Sequence, residues 1–259
     1  MCDFQAAPPP QSGLLEAEIR FREVLEESYR HPATWPGSVD PATGQFLYSL
    51  ARLIRPDLAV EVGTYRGVST LWLARALEDN ATGRLLSLDL FEDMPISEVQ
   101  AVLDRAGLGG RVQLVCGPSV TVGAKAVHQA RGQIDLLFID GDHRVEATAA
   151  DFEVLGAMVR EGGFAVLHDI YPEKCSWDGP RFVLNSLAEN PGLAGNWQAI
   201  ELPTPSPSGY GLALLRKISS ERVRILPRPA YWAYKWKYLL RQWFRVKRWK
   251  SKGHGIGSD

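Results

Sequence analysis

Short apolar runs alternate along the chain with longer segments whose apolar residues recur at helical spacing. Five runs are typical of buried strands: LAVEVG, RLLSLDL, RVQLVCG, IDLLFID and GFAVLHDI. Each of the first four is followed by a helical pattern, as in GVSTLWLARALED and RVEATAADFEVLGAMVREG. Strands that alternate with helices in this way predict a doubly wound α/β fold, in which helices cover both faces of a mostly parallel sheet.

Further elements flank this alternating region. Before it, LLEAEIRFREVLEESY and PATGQFLYSLARLIRP predict two N-terminal helices separated by a loop that contains three prolines. After it, PRFVLNSLAEN predicts a helix, and WQAIELP and GYGLALLRK predict two closing strands. We therefore divide the chain into an N-terminal extension (1–39), an α/β domain (40–217) and a basic C-terminal tail (218–259).

Acidic residues and histidines directly follow two of the predicted strands. Asp140, Asp142 and His143 follow the fourth strand, and His168 and Asp169 follow the fifth. Ligands of such sheets lie outside the carboxyl ends of the strands, and a carboxylate beside a buried strand is costly without a partner. These residues therefore predict that solvent, a metal ion or a substrate meets this edge of the sheet.

The first three strands also end in residues that suit a nucleoside ligand. In EVGTYRGVS, Gly63 permits a tight turn, although glycines are also common in plain strand–helix turns. Asp89 ends the second strand, where a carboxylate is either solvated or accepts hydrogen bonds from both ribose hydroxyls. Ser119 either caps the next helix or faces an adenine ring. Tyr65 replaces the second glycine of the G-x-G-x-x-G motif, which argues against a nicotinamide-dependent oxidoreductase.

Six segments in order carry a resemblance to a known family: PATGQFLYSLARL, EVGTYRGVSTLWLA, SLDLF, GPS, FIDGDH…DF and REGGFAVLHDI. Over roughly residues 40–216 they resemble class I S-adenosylmethionine-dependent O-methyltransferases, in the branch related to catechol, caffeoyl-CoA, and bacterial sugar and macrolide enzymes. The resemblance implies a Rossmann-like sheet of seven strands with one antiparallel strand near the edge. It also implies that Glu61, Gly63 and Ser69 surround the methionine part of the donor, while Asp89 binds the ribose and Ser119 lies near the adenine.

The resemblance further implies a divalent metal, because metal-dependent members end strand four with Asp and strand five with an acid followed by Asp or Asn. Asp140 and the pair His168–Asp169 occupy these places. Histidine in place of a carboxylate favours Mn²⁺ or a softer ion over Mg²⁺. His143 would be the general base, since an imidazole pKa of about 6.5 suits neutral pH. The alternatives are a helix cap for Asp140, a buried core role for His168 and an exposed loop position for His143.

The loop YPEKCSWDGPRF follows the fifth strand and would overhang the methyl group of the donor. Tyr171 and Trp177 could line an acceptor pocket there, together with Trp35, although these residue types also serve ordinary packing. We therefore predict methyl transfer from S-adenosylmethionine to a hydroxyl of a small-molecule or glycan acceptor. A non-catalytic S-adenosylmethionine-binding protein is the other alternative, and the presence of Asp140, His143 and Asp169 argues against it.

The net charge of −1 conceals a strongly basic C-terminal segment. Nine Lys and Arg residues and no acid lie between Arg228 and Lys252, whereas residues 1–227 carry 20 basic and 29 acidic residues. On a helix, one apolar stripe forms from Trp232, Trp236, Leu239, Leu240, Trp243 and Val246. We favour a helix lying on an anionic membrane surface. Packing against the domain or a second copy in a homo-oligomer is the main alternative, and nucleic-acid binding is less favoured.

The rest of the composition indicates a cytoplasmic protein, with peripheral membrane association through the tail. Three scattered cysteines do not form a disulfide framework. The first residues, MCDFQAAPPPQSG, lack the basic and apolar regions of a signal peptide, and no apolar run reaches the ~18 residues of a membrane span.

Overall fold

The computed structural model describes residues 12–34, 37–130, 132–190, 195–204 and 209–219, with Ile225, Leu226 and four isolated positions beyond them. The helices in these ranges are α1 (Ser12–Arg30), α2 (Pro41–Ile54), α3 (Val68–Asn80), α4 (Ile96–Arg105), α5 (Ala124–Gln129), α6 (Val145–Gly156), α7 (Pro172–Cys175) and α8 (Gly179–Glu189). The strands are β1 (Leu58–Val62), β2 (Arg84–Asp89), β3 (Val112–Cys116), β4 (Ile134–Ile139), β5 (Val159–His168), β6 (Trp197–Leu202) and β7 (Leu212–Lys217).

The strands form one seven-stranded sheet in the order β3-β2-β1-β4-β5-β7-β6. Strands β1 to β5 are parallel to one another, whereas β7 runs antiparallel to both β5 and β6. The predicted mostly parallel, doubly wound fold with an antiparallel strand near the edge is therefore confirmed. The strand order changes direction between β1 and β4, and that point is where ligands of such sheets bind.

Helices cover both faces of the sheet, so the core consists of two apolar layers. Strand β4 shows why, because its buried side chains alternate between the faces, as the period of two in a strand requires. Leu137 packs in the layer that contains Phe152 of α6, and Phe138 packs in the layer that contains Leu71 of α3. The near-continuous apolar runs of the sequence therefore belong to strands buried on both sides.

Helix α1, which we assigned to the N-terminal extension, contributes to the same core. Phe21, Val24 and Leu25 pack in the layer that also contains α2 and α3. The loop that follows α1 is fastened to the turn after β1 by two hydrogen bonds. Tyr65 donates its hydroxyl to the carbonyl of Ala33 at 2.5 Å, and Arg66 Nε donates to Thr34 Oγ1 at 3.0 Å. This loop is thereby held beside the edge of the sheet at which the strands end.

The predicted C-terminal helix lies almost entirely outside the described residues, and so does Trp35. Within the ranges that the structure does describe, no helix is both long enough and apolar enough to cross a membrane.

Candidate active site

A cavity of about 540 Å³ opens at the carboxyl ends of the parallel strands, beside the point where the strand order changes direction. Of the nine site residues proposed from the sequence, eight line it: Gly63, Ser69, Asp89, Ser119, Asp140, His143, His168 and Asp169. Glu61 does not line it. Residues from the loop before α2, among them Gly37 and Asp40, form part of the wall. The structure thus brings the two predicted groups, the nucleoside-type residues and the acid–histidine residues, into one cavity.

Gly63 allows the turn after β1 to approach the end of β4. Its φ of +95° lies in the left-handed region that side chains disfavour, and a Cβ atom there would lie 2.1 Å from the carbonyl oxygen of Asp140. Strands β1 and β4 are hydrogen-bonded next to this contact, where the Asp140 amide donates to the carbonyl of Val62 at 2.9 Å. The glycine turn and the strand end that carries Asp140 are therefore in direct contact.

Asp89 has a structural task in addition to its predicted one. Its Oδ2 accepts hydrogen bonds from the amides of Thr64 and Tyr65, both at 2.7 Å, and its Oδ1 accepts one from the amide of Phe91 at 3.0 Å. The carboxylate therefore holds the glycine turn in place by hydrogen bonds, and it also lines the cavity. An ionised carboxylate has about four acceptor positions, so Asp89 can still accept a hydrogen bond from a hydroxyl group of a ligand.

Glu61 lies beneath the cavity wall and is fully buried. Its Oε2 accepts hydrogen bonds from the hydroxyls of Thr70 and Ser87, each at 2.6 Å. Burial raises the pKa of Glu61 to about 7, against the lowering effect of the hydroxyls of Ser69, Ser87 and Thr70. Ser69 lines the cavity, whereas Glu61 does not.

Asp140, His143, His168 and Asp169 form one compact cluster, in which one potential ligand atom from each residue lies within 4.8 Å of the others. His143 Nε2 lies 3.2 Å from Asp140 Oδ1 and 3.1 Å from Asp169 Oδ2. His168 Nδ1 lies 3.0 Å from Asp140 Oδ1 and 2.8 Å from Asp169 Oδ1. Asp169 adopts a φ of +59°, an uncommon conformation for a residue with a side chain. His143 thus lies within the group proposed for the metal, not beside it.

Within the cluster, each imidazole interacts with both carboxylates. Burial disfavours the charged form of each residue, but the interactions between the carboxylates and the imidazoles outweigh it, so the pKa values of Asp140 and Asp169 are lowered. The same pairing raises the pKa of His143 to about 9 and that of His168 well above its ordinary value. The ordinary imidazole pKa expected for His143 is therefore wrong in this arrangement. The charged forms of both histidines are thus favoured while they face the two carboxylates.

The donor set of the cluster suits a divalent cation once the imidazoles have lost their protons. The two carboxylates and the imidazole nitrogen of His168, which are the three ligands predicted from the sequence, match Mn²⁺ and softer ions better than Mg²⁺, which prefers oxygen alone. The simpler role suggested for Asp140 does not occur, because α6 begins at Val145 with Arg144 at its N-cap position. His168 is buried, as in the alternative interpretation, yet its Nδ1 still faces Asp140 and Asp169.

Ser119 lies at the opposite side of the cavity and interacts with a residue that sequence reasoning missed. It begins a π-helical turn, Ser119–Gly123, and makes no side-chain cap of it. Its hydroxyl instead donates to Oδ1 of Asp151, a buried residue of α6 that also lines the cavity. Burial raises the pKa of Asp151 to about 7, although the hydrogen bond from Ser119 opposes this shift. The available signal was the acid Asp151 within the stretch ATAADF, among residues that the helix otherwise buries.

One aromatic ring, that of Trp177, forms part of the cavity wall beside His143. The ring of Trp177 lies 6.1 Å from that of His143 at an interplanar angle of 31°, lines the cavity and is about half exposed. Tyr171, which we had placed with it, does not line the cavity. Its ring instead meets Lys174 Nζ at 5.6 Å and the guanidinium of Arg181 at 5.5 Å.

The sheet order and the cavity define a class of protein: a Rossmann-like α/β fold with the seven-stranded sheet that methyltransferases share. Comparisons with known proteins agree. A family model described as a methyltransferase domain matches residues 60–170. A catechol O-methyltransferase of Mycobacterium tuberculosis is 31% identical over 188 residues, which cover 69% of this chain and 81% of that protein. The chain therefore belongs to the S-adenosylmethionine-dependent O-methyltransferase family.

Two further relatives show the extent of the likeness. A catechol O-methyltransferase of Niastella koreensis is 39% identical over 105 residues, which cover 40% of this chain and 46% of that protein. The chain thus matches about half the length of this relative. An O-methyltransferase from Bacillus cereus, solved in complex with S-adenosylhomocysteine (SAH), superposes with a TM-score of 0.61 at 23% identity. That match covers 82% of this chain and 93% of the solved one, and it supports the fold.

Proposed function

We propose that the protein transfers the methyl group of S-adenosylmethionine to a hydroxyl of a small-molecule acceptor. The observation that carries this proposal is the arrangement of one cavity. A carboxylate suited to ribose, Asp89, lies at the end of β2, and the cluster of Asp140, His143, His168 and Asp169 lies at the ends of β4 and β5. Family membership supports the same reaction class.

The reaction is a displacement in which the acceptor oxygen bonds to the methyl carbon while the electron pair of the breaking bond stays on sulfur, giving SAH. The protein must hold oxygen, carbon and sulfur in line, and such alignment can contribute several kcal/mol. Asp89 and the Gly63 turn would hold the nucleoside and methionine parts. The hydroxyl proton must leave, and we propose that His143 Nε2, which belongs to the cavity wall, accepts it.

His143 can accept this proton only in its neutral form. Its pKa stays near 9 only while Asp140 and Asp169 pair with it. A divalent cation held by Asp140, His168 and Asp169 would polarise the acceptor hydroxyl and occupy the carboxylates that keep His143 protonated. We therefore propose His143 as the base and Asp140, His168 and Asp169 as the ligands of Mn²⁺ or a similar ion.

The test is an assay of SAH formation with catechols, other phenols, sugars and glycosides as acceptors. Catechols come first, because two relatives carry that name. The assay is run on wild-type protein after chelation with EDTA, and again after Mn²⁺ or Mg²⁺ is added back. Asp169→Asn should abolish the activity, and the exposed Asp104→Asn is the matched control. Full activity in excess EDTA would refute the requirement for a divalent ion. The absence of methyl transfer to every hydroxyl acceptor would refute the proposed reaction.

The wall formed by Trp177 supports an acceptor with a flat face, since an indole ring stacks on an aromatic ring as well as on the apolar face of a sugar. Trp177→Ala should raise the KM of the true acceptor while SAH binding stays unchanged. An unchanged KM for every accepted substrate would place the acceptor elsewhere in the cavity.

We further propose that the C-terminal tail holds the cytoplasmic enzyme at an anionic membrane. The support is the sequence alone: nine basic residues, no acid and four tryptophans between Arg228 and Lys252. Each Lys or Arg near such a surface contributes about 1 kcal/mol. The test is flotation of the 259-residue chain, and of a version that ends at Glu221, with anionic and neutral liposomes. Failure of the 259-residue chain to float with anionic liposomes at low salt would refute this role.

A further inference from the structure

The wall of the cavity is acidic. Seven aspartates line it: Asp40, Asp89, Asp93, Asp140, Asp142, Asp151 and Asp169. No lysine or arginine of the described residues lines it, so the basic side chains of the wall are the imidazoles of His143 and His168. Burial raises the pKa of Asp151 to about 7, and its carboxyl group is therefore left out of the balance of charge. Six aspartates then face two imidazoles.

The positive groups of the wall are already engaged with two of these carboxylates. His143 and His168 each lie within 3.2 Å of both Asp140 and Asp169. Charged imidazoles offset the two carboxylates, and a divalent ion among neutral imidazoles would leave the same balance. The acid–histidine cluster thus has no positive charge to spare, and the remaining aspartates set the sign of the wall.

The arginine nearest in the chain to this cluster does not reverse that sign. Arg144 does not line the cavity, and its Nε lies 2.8 and 2.9 Å from the two carboxylate oxygens of Asp142. Its guanidinium therefore offsets Asp142 from outside the wall. Asp40, Asp89 and Asp93 still leave the wall with an excess of negative charge.

We propose that the acceptor is an uncharged or cationic hydroxyl compound, and that the cavity rejects hydroxyl compounds that carry a carboxylate, sulfate or phosphate group. This inference rests on the proposed function, because it concerns the acceptor of that methyl transfer. Loss of the hydroxyl proton leaves one acceptor oxygen negative, and the cluster supplies the positive groups that this oxygen needs. A second negative charge would lose its water without gaining a positive partner, which is costly.

The donor agrees with the sign of the wall, because S-adenosylmethionine carries a sulfonium and an ammonium group against a single carboxylate. Coulomb's law gives the size of the effect on the acceptor. At an effective dielectric constant of about 20, two like unit charges about 8 Å apart change an equilibrium constant by about 30-fold. We therefore expect an anionic acceptor to be used about 10- to 100-fold less well than an uncharged compound of the same shape.

The test is the kcat/KM of SAH formation for acceptors that differ only in the charge of one substituent. The catechol series is 4-ethylcatechol, dopamine and dihydroxyphenylacetate, and the sugar series is the methyl glycosides of glucose, glucosamine and glucuronate. In whichever series is methylated, the amine should be used at least as well as the uncharged member. The carboxylate should fall behind the uncharged member by about 10- to 100-fold.

A positive charge placed in the wall separates the effect of charge from that of shape. Trp177 is about half exposed beside His143, and it is replaced by lysine or by methionine, whose side chains are of similar length. Both variants lose the indole ring, but only Trp177→Lys adds a charge. The use of the carboxylate relative to the uncharged member should be about tenfold higher in Trp177→Lys than in Trp177→Met. Asp104→Asn, at an exposed position, should keep the wild-type ratio.

Two results would overturn the inference alone. One is a wild-type protein that uses the carboxylate within about threefold of the uncharged member, a result that does not depend on any variant folding. The other is the same ratio in Trp177→Lys and Trp177→Met, which would show that shape and not charge selects the acceptor. The absence of methyl transfer to every member of both series would instead reject the proposed function, and this inference with it.

Discussion

Replacement of Asp89 by alanine tests two tasks of one carboxylate, the hydrogen bonds that it accepts from the glycine turn and the proposed contact with the ribose of the donor. The side chain accepts three backbone hydrogen bonds, from the amides of Thr64, Tyr65 and Phe91, at 2.7, 2.7 and 3.0 Å. We also expect it to bind the ribose of the donor. Asp89→Ala should therefore reduce both the free energy of unfolding and the affinity for SAH.

The two magnitudes follow from the geometry. A hydrogen bond to a charged group contributes about 1.5–3 kcal/mol to stability when its loss leaves the donor without another hydrogen-bond partner. Asp89 is only partly buried, so water can replace it at the freed amides, and the unfolding free energy should fall by about 2–4 kcal/mol rather than by the full sum. Loss of the ribose contact should weaken SAH binding by about 1.5–3 kcal/mol, or about 10- to 150-fold in Kd.

Urea denaturation measures the first effect, and calorimetry with SAH measures the second. Asp89→Asn keeps one acceptor oxygen, so it should lose less stability than the alanine variant, and Asp104→Asn should lose almost nothing. The reasoning would be refuted by an alanine variant that is destabilised as expected but binds SAH as tightly as wild type. In that case the carboxylate would serve the turn alone, and the ribose would lie elsewhere.

Three further predictions concern other parts of the site. Because burial raises the pKa of Glu61 from 4.5 to about 7, the stability that its proton provides is fully present below pH 4.5 and is lost as the pH rises through 7. The loss amounts to about 3 kcal/mol of unfolding free energy, and Glu61→Gln should remove it. The measurement is urea denaturation of the ligand-free protein at a series of pH values, and a variant with the same pH dependence as wild type would contradict the raised pKa. His143→Ala should lower the single-turnover rate about 10²- to 10⁴-fold without changing SAH affinity, and a rate within threefold of wild type would exclude it as the base. Gly63→Ala should cost more than about 2 kcal/mol in stability, because its Cβ would lie 2.1 Å from the Asp140 carbonyl oxygen. Gly67→Ala is its control, with a comparable φ of +84° but its nearest neighbour, a Val99 methyl, at 3.3 Å, and an equal loss in both variants would show that φ alone matters.

The sequence predicted those parts of the site that depend on strand ends. Asp89, Asp140 and Asp169 meet at one edge because parallel strands end there together, and this rule needs no knowledge of side-chain conformations. It fails for Glu61, which lies inside β1 opposite Ser87 of β2 and therefore points into the protein. It also fails for Asp151, which reaches the cavity from the body of α6.

The pKa of His143 could not be predicted for a related reason. Its position after β4 was evident from the sequence, but its partners depend on how the loop folds back toward β5. Both Asp140 and Asp169 lie within 3.2 Å of its Nε2. Two carboxylates at that distance change an ordinary imidazole into one that is protonated at neutral pH. Only the three-dimensional arrangement supplies that information.

The contact between Gly63 and Asp140 bears on how the protein can acquire new acceptors. The glycine turn after β1 and the acid–histidine cluster are joined through neighbouring strands, by the hydrogen bond from the Asp140 amide to the Val62 carbonyl at 2.9 Å. The spacing between the glycine turn and the residues that follow β4 is thus fixed by the sheet. Trp177, by contrast, lies in the segment between α7 and α8. Substitutions in that segment can reshape this part of the cavity wall while the residues at the strand ends keep their positions, so the proposed preference for one hydroxyl compound can change one loop residue at a time.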